Sequence, residues 1–513
     1  MINSEEKTVN DTIKPCNGSK TLSNAEPEKY SYPKRVFLIF GSEFCERFNL
    51  YGFKTILVFY LTYKLGYTAN DASVVFHVFT AAMFSTTMFG GILSDVWLGK
   101  FNTILYLSLL YLMGSIIISI GAVPFIDFSP NIALMIGLVL IAIGAGGIKP
   151  CVAAFGADQF KMPEQAHQIA PYFSLFYFTM NAGASLSTVI TPLLRANVHC
   201  FGDNDCYSLA FGVPAVLMII SIVFFVIGKS SYTHVKTSSE NMIIRMYKCT
   251  KHAISARRRE KGDKSHKNLL DYSIDKYGAE FIDDIRILLQ ILVLYLPFPI
   301  FHALLDQIGS RWSLQASNMN GDLGFYTIEP DQMQMLDALM CLTFVPLFDT
   351  ILYPIMGKIG IRQPIHKIII GGILIGCSFL LAAFLEFSIV RSPEHSINML
   401  WQIPQYVILT LGEVMFSVTG LAFSYDQAPA SMKSVVQAFW LLTIAFGNVV
   451  FVAVIKMKIV ETQTFEFILF AALMFIALFI LAILGNFNRN ISQKANASNV
   501  HECESIETIS IKK

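Results

Sequence analysis

Apolar stretches of membrane-crossing length recur along this chain, near 35–61, 73–94, 102–123, 131–152, 170–194 and 208–228. After a polar interval they resume near 286–305, 332–356, 366–388, 398–422, 435–456 and 465–486. A helix needs roughly 20 mainly apolar residues to cross the hydrocarbon core. The pattern therefore predicts about twelve spans and an all-α polytopic membrane protein. Pro297, Pro299, Pro346 and Pro354, with Gly144, Gly146 and Gly147, fall inside these stretches. Such residues weaken soluble helices but mark kinks and close helix approach in a bilayer.

The polar intervals give the organisation. Residues 229–285 carry Lys248, Lys251, Arg257, Arg258, Arg259, Lys261, Lys264 and Lys267. Lys100, Lys161, Lys358, Arg362, Lys367 and Lys433 occupy other intervals of the same side, while the alternate ones hold only Lys64, Arg195, Arg311 and Arg391. The positive-inside rule places the basic linker and both termini in the cytosol. The linker divides the spans into six-helix halves, 33–228 and 286–487, an arrangement suited to a secondary transporter with a central site. Within it, 241–259 reads either as a basic amphipathic helix on anionic lipid or as a solvated connector. Residues 1–32 and 488–513 read as disordered cytosolic tails. They hold the sequons Asn10, Asn17, Asn490 and Asn496, which cytosolic placement leaves unmodified.

Composition agrees. Hydrophobic residues make up 54% of the 513 positions and charged residues 15%, against roughly 25% charged in a soluble domain. A net charge of +1 gives no reason to expect a nucleic-acid partner. Cys200 and Cys206 flank the polar turn Phe201-Gly202-Asp203-Asn204-Asp205 in a predicted outer loop, where the redox environment permits a disulfide. No phosphate-cradling Gly-x4-Gly-Lys-Ser/Thr loop and no His-x-x-Glu-His or Cys-x-x-Cys spacing occurs, so ATP driving, metal ligation and enzyme chemistry are not expected. An ion gradient is the natural energy source.

The candidate chemistry lies in charges buried within spans. The first span reads Glu43-Phe44-Cys45-Glu46-Arg47, with Tyr51 and Lys54 beyond. Glu43 and Arg47 can pair at i,i+4 and Lys54 follows on the same face. Two carboxylates beside one arginine form either a structural ion-pair network or a proton-coupling device, and the cost of mid-bilayer charge favours function. Glu413 is the only charge in its span; Asp306 lies near an outer end, and Lys149 lies where a lysine can also snorkel. His77 is either a packed core histidine or a proton acceptor. Tyr51, Tyr60, Tyr177 and Asn181 offer hydroxyl and amide groups. In the segment from Gly90 to Lys100 the Gly90-Gly91 pair permits close helix approach, and Asp95 suits a cytoplasmic gate. Asp349 with Gly357-Lys358 echoes it in the second half.

These motifs resemble the proton-coupled oligopeptide transporter family. Glu43-x-x-Glu46-Arg47-Phe48, the Gly90–Lys100 segment, Phe173-x-x-Phe176-Tyr177-Phe178-x-Met180-Asn181-Ala182-Gly183 and Phe423-Ser424-Tyr425-x-Gln427-Ala428-Pro429 carry the likeness. Asp306-Gln307-x-Gly309-Ser310-Arg311-Trp312 and Gln402-Ile403-Pro404-Gln405-Tyr406 bring it closest to animal members. The resemblance implies a major facilitator fold of twelve transmembrane helices. It also implies symport of di- and tripeptides with protons by alternating access, with no cofactor. It assigns Glu43, Glu46, Arg47 and His77 to proton coupling and Lys54, with Lys149 nearby, to the peptide carboxylate. Glu413 takes the amino end, Tyr51, Tyr60, Tyr177 and Asn181 the pocket wall, and Asp95 and Asp306 gating. A plasma-membrane monomer is the expected working unit; relatives that move nitrate or amino acids are the alternative. His302 stands where animal relatives carry Trp, in the part of the pocket facing substrate side chains. Gln290 replaces an Arg that pairs with the Asp306 position, which leaves Asp306 without that partner. The large outer domain of many animal members is missing between the ninth and tenth spans.

Overall fold

The computed structural model describes residues 32–510 apart from 126–128, 163, 235–241, 260–267, 362 and 461. Side chains are described to residue 486, excepting 170 and 430. The sequons Asn10 and Asn17 and the basic residues Lys261, Lys264, Lys267 and Arg362 lie outside the described residues, as do the side chains of Asn490 and Asn496.

The first half contains α1 (Val36–Phe59), α2 (Ala69–Ile92), α3 (Gly99–Gly121), α4 (Pro130–Ala157), α5 (Ala166–Asn197) and α6 (Tyr207–Ile227). The linker supplies α7 (Met242–Arg259) and the single turn α8 (Ile274–Tyr277). The second half contains α9 (Ala279–Leu294), α10 (Phe298–Leu305), α11 (Arg311–Ser317), α12 (Met335–Leu347), α13 (Tyr353–Lys358) and α14 (Pro364–Arg391). It closes with α15 (Ile403–Gln427), α16 (Lys433–Lys456) and α17 (Gln463–Ser510). The last helix thus runs past Asn488, where the sequence places the start of a tail. Only isolated β-bridges occur among the described residues.

Among the described residues, nine of these helical runs are long and apolar enough to cross a membrane, and α9 with α10–α11 makes a tenth, bent by 50°. Pro297 and Pro299 sit at that bend, where missing amide donors and ring clashes break a helix. Two further helices have the length without the composition. The 24 residues of α1 carry Glu43, Glu46, Arg47 and Lys54. The 32 residues of α5 are rich in Ala, Ser, Thr and Asn. The sequence pattern of about twelve spans counts both. A helix that keeps its charges at membrane depth needs partners on neighbouring helices, and this requirement locates the site.

Each half has its own core. In the first, α1 packs on α5 and α6, and α4 on α2 and α3. Small residues set the second group: a Cβ on Gly90 would lie 2.0 Å from the Gly147 carbonyl oxygen, and one on Gly146 would lie 2.0 Å from that of Met83. Gly91 faces open space, so only Gly90 of that pair serves close approach. In the second half α14 packs on α15 and α17, and α10 on α16. Between halves, α2 packs on α16 and α5 on α12. The linker helix α7 buries Cys249, with Met242, Ile243 and Met246, against the second-half core. Protein therefore covers its apolar side, and the basic side remains. Only residues 392–402 join α14 to α15, with one short 3₁₀ turn at Met399–Gln402.

Candidate functional site

Halfway along α1 the charged cluster is buried as a unit. Glu43, Glu46 and Arg47 are 2%, 3% and 6% exposed, so their charges must answer one another. Arg47 Nε donates to Glu43 Oε1 at 2.7 Å and lies 3.2 Å from Glu46 Oε2. Neither Glu46 oxygen has a hydrogen-bond partner among the described residues. One guanidinium thus serves two carboxylates, one well bonded and the other only neighbouring. The Asn181-Ala182-Gly183 motif explains the fit: a Cβ on Gly183 would come within 2.6 Å of the Phe44 carbonyl oxygen, so glycine lets α5 close over the cluster.

One turn further on, a cavity of about 290 Å³ opens between the two halves. Tyr51 and Lys54 of α1 and Lys149 of α4 line it from the first half. His302, Asp306, Asp337 of α12, Glu413 of α15 and Trp440 of α16 line it from the second. Lys149 Nζ lies 5.1 Å over the Phe84 ring and Lys54 Nζ 4.9 Å over the Phe76 ring. Asp337 accepts a hydrogen bond from Thr410 Oγ1 at 2.8 Å. Its carboxyl, that of Glu413 and the Cys341 thiol lie within 4.8 Å of one another. The His302 ring packs edge-on against Phe416 and Trp440, and its Nε2 is buried with no hydrogen-bond partner among the described residues.

His77 is fully buried on α2, stacked 3.7 Å from the Phe451 ring. Its Nδ1 lies 2.6 Å from Asn448 Oδ1 and its Nε2 2.9 Å from Ser310 Oγ. Asn448 Nδ2 donates to Asp306 Oδ2 at 2.7 Å, which fixes the orientation of the amide. Asn448 Oδ1 then faces His77 as an acceptor, so Nδ1 carries the hydrogen and Nε2 is the exchangeable position. Asp306 also lies 3.9 Å from Lys54 Nζ. Gln290 is exposed on α9, so Asp306 lacks the partner that an Arg there would supply, and Lys54 and Asn448 serve it instead.

The cavity does not gather every expected residue. Tyr60 is buried against Tyr207 and Phe211, away from it. Tyr177 is exposed on α5, and Asn181 Nδ2 donates to the Tyr177 carbonyl oxygen at 2.9 Å. Asp95 lies in a π-helical turn, Leu93–Trp97, and lines a separate cavity of about 270 Å³ with Lys100, α7 and α16. Its echo Asp349 lies in a second π-helical turn, Phe348–Leu352, so the likeness between the halves extends to backbone form. Cys200 and Cys206 are joined by a disulfide, and Lys64 reaches Asp203 and Asp205 at 2.8 Å beside it.

Several residue roles escaped the sequence reading. Arg195, at the end of α5, meets Asp331 at 2.9 Å and Glu329 at 2.7 Å, tying the halves together. Asp331 had a detectable signal as an acid at the mouth of a span, as did Asp337 inside one. Asn448 and Ser310 had none, since amides and hydroxyls are ordinary in such helices.

A family model described as the POT family matches residues 101–470. A fruit-fly protein named peptide transporter family 1 (Drosophila melanogaster) is 48% identical over 361 residues, covering 70% of this chain and 48% of that protein. This chain therefore spans about half the length of the fly relative. Zebrafish (Danio rerio) solute carrier family 15 member 2 is 34% identical over 624 residues, covering 83% of this chain and 86% of the relative. The in meso crystal structure of the POT family transporter PepTSo superposes with a TM-score of 0.79 at 28% identity, covering 90% of this chain and 99% of that one. An auto-inhibited POT family peptide transporter gives 0.76 at 26% identity, covering 88% and 97%.

Proposed function

The chain belongs to the POT family, and from that premise we propose that it carries di- and tripeptides across a membrane together with protons, by alternating access. One observation carries the reading. A single cavity between the halves holds ammonium groups, Lys54 and Lys149, on its first-half wall and carboxyls, Asp337 and Glu413, on its second-half wall. Every unmodified short peptide is charged oppositely at its two ends. Such a ligand bridges the walls and draws the halves together, whatever its side chains. About 290 Å³ is at the small end of ligand pockets, which suits two or three residues.

In this reading Lys54 and Lys149 hold the peptide carboxylate and Glu413 the amino end, while Tyr51 and His302 face the peptide between them. Glu43, Glu46 and Arg47 stand one turn away as the proton-coupling cluster. A proton taken by either carboxylate leaves Arg47 one partner fewer and free to answer an incoming anion. His77, through Asn448, is tied to the Asp306–Lys54 pair, so charge arriving at its Nε2 bears on the contact that must loosen for Lys54 to meet substrate. Asp306 gates from the outer side and Asp95 from the inner. We place both termini in the cytosol, the protein in the plasma membrane, and the working unit as a monomer.

Proteoliposomes under an inward proton gradient are expected to accumulate labelled Ala-Ala, and Glu413→Gln to abolish that uptake. Accumulation indifferent to the gradient would sink proton coupling. Failure of unlabelled di- and tripeptides to compete would sink the substrate class.

A further inference from the structure

Resting on the peptide-transport reading, we propose that Asp337 is a specificity-determining residue that makes the cavity select peptides whose first residue is cationic. The charges facing the cavity are two ammonium groups, Lys54 and Lys149, and three carboxyls, Asp306, Asp337 and Glu413. Lys54 and Asp306 answer each other at 3.9 Å. That leaves Lys149 on one wall against two neighbouring carboxyls on the other, and carboxyls this close with no cation between them hold one proton in common.

Both of these carboxyls sit at the amino end. Asp337 and Glu413 lie within 4.8 Å of each other, and neither is ion-paired with a protein cation among the described residues. The hydrogen bond from Thr410, on the helix that also bears Glu413, holds Asp337 in place. A peptide's single ammonium brings one positive charge to this pair. It can donate to both carboxyls but matches only one negative charge, so the pair keeps its shared proton and one carboxyl stays unused as an anion. A lysine or arginine as the first residue brings a second cation from the same α-carbon, on a flexible stem that reaches a carboxyl next to the first. A cation on the last residue starts from the Lys54 and Lys149 wall, where like charge opposes it. The selectivity is therefore positional: it favours a basic first residue over a basic last one.

Competition against labelled Ala-Ala uptake in proteoliposomes tests this, with unlabelled Lys-Ala, Ala-Lys and Ala-Ala. Lys-Ala is expected to half-inhibit at about tenfold lower concentration than Ala-Ala, the effect of roughly one exposed-to-half-buried ion pair. Ala-Lys should show no such advantage. Asp337→Asn, nearly isosteric, should bring Lys-Ala and Ala-Ala to parity, and Asp337→Glu should keep the preference. Parity in the unmodified protein, or a preference that survives Asp337→Asn, overturns the proposal. If Asp337→Asn is inactive, the ranking of Lys-Ala against Ala-Lys in the unmodified protein decides alone. Absence of any peptide competition instead overturns the transport reading on which the proposal rests.

Discussion

Replacing Asp331 by Asn removes one charge from the tie that holds the two halves together at the end opposite the basic linker, the outer end in the proposed orientation. Asp331 is fully buried, and Arg195 meets it through Nε at 2.9 Å and through Nη2 at 3.0 Å. Taking away one partner of such a pair costs about 3–5 kcal/mol when the remaining charge stays buried and alone. Here Glu329 still offers Arg195 an oxygen at 2.7 Å from a side chain about a quarter exposed, so the loss shrinks to about 2 kcal/mol. In the proposed alternating-access cycle the loss falls only on the state with the outer side closed, because opening returns both groups to water. The equilibrium between the closed and outward-open states should therefore move by about thirtyfold toward opening. Cys341 is a built-in reporter, a free buried thiol beside the cavity carboxyls. Its modification by a membrane-impermeant maleimide added outside cells should accelerate by at least tenfold in Asp331→Asn, with Cys341→Ser as the background control. An unchanged rate at equal surface expression would refute the view that this ion pair holds the outer side shut.

Three further outcomes follow from the packing and the cavity. Gly90→Ala should destabilise the purified protein by about 1–3 kcal/mol in thermal unfolding, because the added methyl meets the Gly147 backbone; Gly91→Ala, facing open space, should leave it unchanged or slightly stabilised. Tyr51→Phe should raise the KM for Ala-Ala severalfold, whereas Tyr60→Phe, packed on Tyr207 and Phe211, should leave KM within twofold. Asn448→Leu keeps the bulk but cuts the bonds to both His77 and Asp306. It should lower the maximal proton-driven rate at least tenfold while equilibrium binding of Ala-Ala to detergent-solubilised protein changes less than threefold; equal losses in both would mean that Asn448 merely shapes the pocket.

The sequence alone was informative wherever the physics is local. A span is legible because the bilayer demands a fixed run of apolar residues, and the linker because a long polar, charged interval cannot lie in that hydrocarbon. The pairing of Glu43 with Arg47 is legible because four residues of helix bring two side chains to one face. Glu413 declared itself as a lone charge in an apolar span. Even α1, less apolar than most of the other spans, was legible, since its polarity comes from the very charges that mark the site.

What stayed hidden depends on which helix faces which. Periodicity places Asp337 on a face of α12 but does not say that the facing residue on α15 is Glu413; only packing brings those carboxyls within 4.8 Å. The same holds for Asp306, whose partners Lys54 and Asn448 come from α1 and α16, far apart in sequence. Tyr60 belongs to the first helix like Tyr51, yet a change from α- to π-helical winding at Tyr60–Lys64 and the ring of Phe211 turn it into core. The sequence determined that charges would be buried, because an unmet charge in a bilayer is too costly to keep without purpose. The tertiary structure decided which charges meet, because that depends on the register of helices set by contacts such as Gly90 on Gly147 and Gly183 on Phe44. In that register the charged cluster on α1 lies one turn from a cavity with opposite charges on its two walls.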